Sequence, residues 1–342
     1  MKFKDSVIID EPLNGLSTFV IPTQVQDVVT ISGSMLGGIL FSDNNKIPSL
    51  TSSMLDKGTI NNSKHEISNQ LESIGAEISF VSSNRHINFT AHCLKSNIDI
   101  VVRLIAEQLK EATFPEDELL TLKKRMIANL EVSKDDTKKQ ALINFLREIY
   151  PKGHYNRRST IEDSINNIRS VQANDLIHFY EQVYGLGTLK IAAAGDISND
   201  LFSGLIKTHF DGWGEQAVQQ LDGCTSVNER KPSRLNKKIN DKTSSDIYIG
   251  QTLDLSESSD AYLGLMMGVY ILGGNFSARL MQTVRDEQGL TYGIGSTIAG
   301  CAYDTKGHWH TWGTFSPNLV DKGITSTLEE IDKWYRNGIT KK

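Results

Sequence analysis

Along the first third of the chain the hydrophobic pattern changes period several times, and each change marks an element. Apolar and polar positions alternate through Val28, Thr30, Ser32 and their neighbours, which predicts a strand ending at Gly37-Gly38. The following IPSLTSSMLDKG reads as a short helix closed by Gly58. Ser63 with Glu66 three residues on forms a capping box, and Ile67, Leu71 and Ile74 share one helical face before Gly75 ends the helix. AEISFVSSNRHINFTAHCL returns to period two as a hairpin. Ile87, Phe89, Ala91 and Cys93 fall on its core face, and His86, Asn88, Thr90 and His92 on the other.

Residues 96–149 carry helical periodicity, interrupted at Phe114-Pro115 and ended before Pro151. A helix over 171–183, the strand LKIAAAGDI and the segment DLFSGLIKTHFDGW complete an α+β unit, so the first domain spans 1–213. Residues 214–240 are polar, follow neither hydrophobic period and read as a linker.

The remainder, 241–342, repeats the opening design. SSDIYIGQTLDL is a strand, AYLGLMMGVYILGG a helix closed by glycines, FSARLMQTVRDEQG a second helix ended by Gly289, and LTYGIGSTI a strand. Gly58 then matches Gly274, and Gly75 matches Gly289. In that register Arg285 falls where the first copy has Leu71, and Tyr292 where it has Ile78. The fold class is α+β with two homologous units, each an antiparallel or mixed sheet with helices mainly on one face. After a helix over 320–336 the sequence stops at NGITKK, so the second unit is expected to be C-terminally truncated or to lean on a partner.

Composition narrows the function classes. The 342 residues are 39% hydrophobic and 23% charged, which describes a soluble globular chain with room for two cores. A net charge of −5 without a clustered basic face argues against nucleic acid and against an anionic membrane surface. Cys93, Cys224 and Cys301 are odd in number and far apart, and read as buried free thiols. The N-terminus has no signal-peptide core and no stretch has the length of a membrane span, so the chain reads as cytoplasmic as written, or periplasmic if a leader has been trimmed.

One segment carries chemistry. ILGGNFSARLMQTVRDEQGLTYGIGS, residues 271–296, closely resembles the C-terminal domain of the pitrilysin-type (inverzincin) zinc peptidases, a family that includes mitochondrial processing peptidase and its bacterial relatives. Coarser resemblance runs from Leu13-Asn14-Gly15 to the end of the chain and includes KGT, LESIGAE, AAAGDIS and FDGW. The residues alone make Arg285 a solvated helix arginine and Tyr292 a core tyrosine. The resemblance implies instead that Arg285 donates to the backbone carbonyls of a peptide and that the Tyr292 hydroxyl helps to stabilise the oxyanion formed on hydrolysis.

The resemblance breaks at the metal. The family binds zinc through His-x-x-Glu-His on the helix just before a Met-Leu-x-Lys-Gly-Thr element, here Met54–Thr59. The matching positions are Ser49, Ser52 and Ser53, and the downstream glutamate ligand matches Leu130, or Glu131 in a register one residue off. Hydroxyls are poor zinc ligands and serine is no general base at neutral pH, so neither a metal nor another cofactor is expected in this chain. His65-Glu66 lacks the second histidine of a zincin, since Asn69 stands there, and reads as a helix start. His308 and His310 share a strand face, for which a half-exposed strand is the favoured reading over a metal pair. His86 and His92 stand roughly 20 Å apart at strand rise, too far to share an ion.

With the Arg/Tyr pair retained and the ligands lost, the resemblance implies the non-catalytic subunit of a heterodimeric peptidase. Zinc would reside in a His-x-x-Glu-His partner, an unstructured peptide would be the substrate, and Arg285 and Tyr292 would act in trans, with activity expected only in the complex. The alternative is a structural or peptide-holding scaffold without a peptidase role, like the respiratory-complex core proteins that share the fold.

Overall fold

The computed structural model describes residues 6–216 and 232–339. Most of the 214–240 linker and Cys224 lie outside the described residues. The chain divides into two compact units, one of residues 1–127 with 165–222, the other of 128–164 with 223–342. The segment 128–164, which the sequence pattern continues from the first unit, therefore groups with the second.

The first unit is built on a six-stranded mixed sheet ordered β1-β2-β6-β3-β5-β4. Its strands are β1 (Ile8–Leu13), β2 (Leu16–Pro22), β3 (Val28–Leu36), β4 (Glu77–Ser82), β5 (His86–Leu94) and β6 (Lys190–Gly195). β2 and β6 run parallel and the other neighbours antiparallel. Along β5, Ile87, Phe89, Ala91 and Cys93 are buried, as the alternation predicts. They join Val29, Ile31, Leu50, Met54 and the apolar faces of the helices Ile98–Lys110 (α3), Ala173–Val183 (α7, preceded by α6, Ile161–Ser170) and Asn199–Phe210 (α8) in one core. Burial pushes the Cys93 thiol up to about 11, which keeps it protonated and inert.

The helices between β3 and β4 are α1 (Lys46–Met54) and α2 (Lys64–Ser73). α2 opens with the predicted capping box, since the Ser63 hydroxyl accepts from the Glu66 amide and the Glu66 carboxylate accepts from the Ser63 amide. Phe114, at φ +50, turns the chain ahead of Pro115 and so separates α3 from α4 (Glu116–Ser133).

The second unit repeats half of that plan. Its sheet is β7 (Ser245–Thr252), β9 (His308–Phe315) and β8 (Thr291–Ala299), in the order β7-β9-β8, which matches β3-β5-β4 of the first unit strand for strand. α9 (Tyr262–Gly273) stands where α1 does, and α10 (Val320–Asn337) follows β9 as α3 follows β5. Gly75 and Gly289 both have φ +62, so the two copies leave their second helix through the same left-handed turn. Gly58 and Gly274 differ, with φ +155 and −83, and only their sequence positions correspond.

Two departures bear on the site. The segment read as an ordinary second helix is a π-helical turn over Met281–Glu287. The second sheet also has both faces covered. Leu272, Val284, Ile294 and Phe315 form a core on one side, and α5 (Thr137–Ile149) lies against the other through Phe145 and Tyr248.

Candidate peptide site on the second sheet

β8 carries a bulge. Thr291 pairs with Phe315 and Gly293 with Thr314, which leaves Tyr292 as the extra residue. In an unbroken strand Tyr292 would share the inward face with Ile294 and Ser296, both buried, as a core tyrosine would. The bulge shifts the phase. Thr291 takes the inward place, and its hydroxyl bridges the irregularity by donating to the Thr314 carbonyl and accepting from the Gly293 amide. Tyr292 is turned out to 88% exposure.

Arg285 is aimed by an irregularity of its own. In the π turn the Gln288 amide reaches back to the Thr283 carbonyl and the Leu290 amide to the Val284 carbonyl, so the backbone widens around Arg285 while Met281 and Val284 stay in the core. The Arg285 Cζ lies 5.8 Å from the centre of the Tyr292 ring and 5.9 Å from that of Phe276, itself 77% exposed. Such a cation over two exposed rings is worth about 0.5–1 kcal/mol. Its nearest carboxylate, Asp286, stands 3.6 Å away. Among the described residues neither the guanidinium nor the Tyr292 hydroxyl has a hydrogen-bond partner, so both present donors to solvent.

Beside the pair runs a groove of about 740 Å³. Seven consecutive residues, Tyr292 through Ile298, line it, together with the inner turns of α9 and, on the α5 side, Trp312 and Lys138. A run of consecutive strand residues takes in both faces and so follows the strand's edge, and β8 has no neighbour on its outer side among the described residues. Gly293 and Gly295 leave one face of β8 bare, and the Trp312 indole fills the space where their side chains would project.

The first unit carries the serines. Ser49 and Ser52 donate their hydroxyls to the carbonyls of Asn45 and Ser49, and Ser52 is only 2% exposed. These hydroxyls serve the backbone of α1 itself. Ser53 follows on the same helix, while Leu130 and Glu131 sit on α4 within the second unit. Among the described residues no three His, Cys, Asp or Glu side chains come together to hold a metal ion. A donor set of three serines and a leucine does not suit zinc.

Comparison with known proteins gives the family. A model described as "Peptidase M16 inactive domain" matches residues 170–342, and one described as "Insulinase (Peptidase family M16)" matches residues 42–163. The chain belongs to peptidase family M16. An uncharacterized zinc protease of Streptomyces coelicolor is 20% identical over 290 residues, covering 84% of this chain and 62% of its own length. A Helicobacter pylori protein described as a non-peptidase homolog is 22% identical over 301 residues, covering 86% and 68%. The chain thus spans somewhat less than two thirds of the first of these relatives. Among solved structures, a peptidase M16 inactive domain from Pseudomonas fluorescens superposes with a TM-score of 0.80 at 19% identity, over 98% of this chain and 80% of that one. A protease from Helicobacter pylori does so with a TM-score of 0.83 at 16% identity, over 98% and 81%. The matches of this M16 chain thus include a model and a relative that are described as inactive, and no helix among its described residues is long and apolar enough to cross a membrane.

Histidines singled out from the sequence have other partners in this M16 chain. His65 pairs with Asn69 on α2, and His92 with the Thr30 hydroxyl across the sheet. His308 and His310 are not half-exposed as the alternation suggested. They are 4% and 8% exposed, enclosed by Phe145 of α5, Tyr248 and Tyr150. Tyr150 hydrogen-bonds the His308 Nδ1 at 2.9 Å. Burial pushes His308 down to about 3, with its neighbours His310 and His154 adding to the shift, and pushes His310 down to about 4.

The sequence reading assigns Phe276, Lys138 and Trp312 no role in the site. The alternating glycines in TYGIG were the available signal, since they leave one strand face without side chains.

Proposed function

We propose that this chain is the non-catalytic subunit of a two-chain M16 metallopeptidase, holding an extended peptide along the free edge of β8 and presenting Arg285 and Tyr292 to it. The observation that carries this reading is a pair of donors without hydrogen-bond partners among the described residues, each aimed outward by a bulge or a π turn, in a chain with serines where the family has its metal ligands. Structural irregularities of this kind cost stability and persist where they serve a site.

The metal and the attacking water belong to a partner with an intact His-x-x-Glu-His helix. This chain's residues contribute binding and charge stabilisation. Backbone donors and acceptors on the outer edge of β8 hold the peptide by strand addition. The Arg285 guanidinium donates to its carbonyls, and the Tyr292 hydroxyl donates to the oxygen that gains charge as the scissile carbonyl is attacked. Loss of one such donor lowers kcat by about 10²–10³ in comparable sites.

The test is reconstitution. The purified chain is mixed with an M16 chain carrying the intact motif, and cleavage of an unstructured peptide is compared with each chain alone and with the Arg285→Ala and Tyr292→Phe variants. Cleavage that needs both chains and falls with either substitution supports the reading. A partner equally active without this chain, or indifferent to both substitutions, would leave a peptide-holding scaffold as the better description.

A further inference from the structure

The groove is apolar over most of its lining, and among the described residues its single charged lining residue is Lys138. No Asp or Glu side chain of the described residues lines it. The Lys138 ammonium lies 3.5 Å from the centre of the Trp312 ring, and among the described residues it has neither a hydrogen bond nor a carboxylate partner. The nearby acid on β7, Asp246, is engaged by the hydroxyls of Thr137 and Thr314. A cation therefore stands on an aromatic platform at the wall of a groove that offers it no counter-charge.

We infer that Lys138 and Trp312 form a specificity subsite for an acidic side chain of the bound peptide. The inference rests on the strand-addition reading above and adds a sequence preference to it. The position read follows from the register. Trp312 lies opposite Gly295, and a Cβ built on Gly295 or Gly293 would meet the indole at 2.9 or 3.7 Å. A peptide residue paired with either glycine meets no β8 side chain on the α5 face. Its own side chain projects over the indole edge, where the ammonium is the available partner. An Asp or Glu there gains a charge-assisted hydrogen bond beside a surface that sheds water, whereas Asn or Gln gains only a neutral contact. Lysine or arginine at that place meets like charge. Residues of opposite parity face the α9 side, which is apolar, so the preferred segment alternates an acidic with an apolar residue.

The test uses the whole chain without any partner subunit. The probes are dye-labelled peptides of about ten residues built from Thr and Val, with one Glu moved through the sequence, and the same series with Gln; affinity is read by fluorescence anisotropy at low and high salt. The expected result is a preference of about tenfold for Glu over Gln at alternate positions, weakened by salt, abolished in Lys138→Met and turned toward a Lys-containing probe in Lys138→Glu. Equal binding of the Glu and Gln peptides, or a preference that survives in Lys138→Met, overturns the inference and leaves strand addition and the trans role of Arg285 and Tyr292 standing. Failure of every probe to bind overturns the subsite and strand addition together.

Discussion

The Arg285 guanidinium stands 5.8 Å from the centre of the Tyr292 ring, and the two residues reach that position by unlike means. One rides on a π turn and the other on a strand bulge. Neither hydrogen-bonds the other, so each is open to act on a separate atom of a bound chain, and their substitutions should separate kinetically.

In the reconstituted two-chain enzyme, Tyr292→Phe should lower kcat about 10²-fold with little change in KM, because the lost donor acts on charge that exists only in the transition state. Arg285→Ala should raise KM as well, since its contacts exist already in the bound complex. Steady-state kinetics on one peptide decides this, and a Tyr292→Phe effect confined to KM would contradict it.

The second unit should be acid-sensitive. His308 and His310 ionise near 6.5 when unfolded but near 3 and 4 when folded, so the folded state binds fewer protons in between. The stability they confer is complete above about pH 6.5 and is lost as pH falls toward 4, at roughly 1.4 kcal/mol per pH unit for each ring. Replacing His310, whose Nδ1 has no partner, with Phe should shift acid unfolding to lower pH when followed by near-UV circular dichroism. An unchanged acid midpoint in His310→Phe would refute the assignment.

Glu107 on α3 gathers the Thr59 hydroxyl, the Asn62 amide at 2.6 Å and the Arg103 guanidinium at 3.2 Å, and is itself 8% exposed. This network ties the turn after α1 to α3. Glu107→Leu leaves those donors without their acceptor and should cost about 2–4 kcal/mol in urea unfolding. A loss under 1 kcal/mol would mean that the turn is held by packing alone.

Metal removal should act on the mixture and not on this chain. With hydroxyls at Ser49, Ser52 and Ser53 committed to α1 or unsuited to zinc, EDTA should leave the melting temperature of the isolated chain unchanged while stopping cleavage by the reconstituted pair. Stoichiometric zinc in the isolated chain, measured by plasma emission, would contradict this.

Local patterns carried the fold far. The Ser63–Glu66 capping box, the stops at Gly75 and Gly289 and the inward face of β5 all depend on neighbours in sequence, and all are found as the pattern implies. What stayed hidden depends on partners far along the chain. The bulge at Tyr292 is defined only by the pairing of β8 with β9, and Met281 and Val284 satisfy an α and a π turn equally well. The burial of His308 and His310 comes from α5, about 160 residues upstream and read from sequence as part of the other domain. In the candidate site, resemblance pointed to Arg285 and Tyr292, but their orientation needed the two irregularities. Lys138 required the placement of α5 as well.

The single extra residue in β8 also sets a zero point. A strand laid along the edge takes its phase from Gly293 onward, and that phase ties the tyrosine hydroxyl to the positions over Trp312 by a fixed count of residues. On the proposed reading such a protein would measure its peptide as a ruler does, and the bond presented for cutting would lie at a constant offset from the side chain that is read.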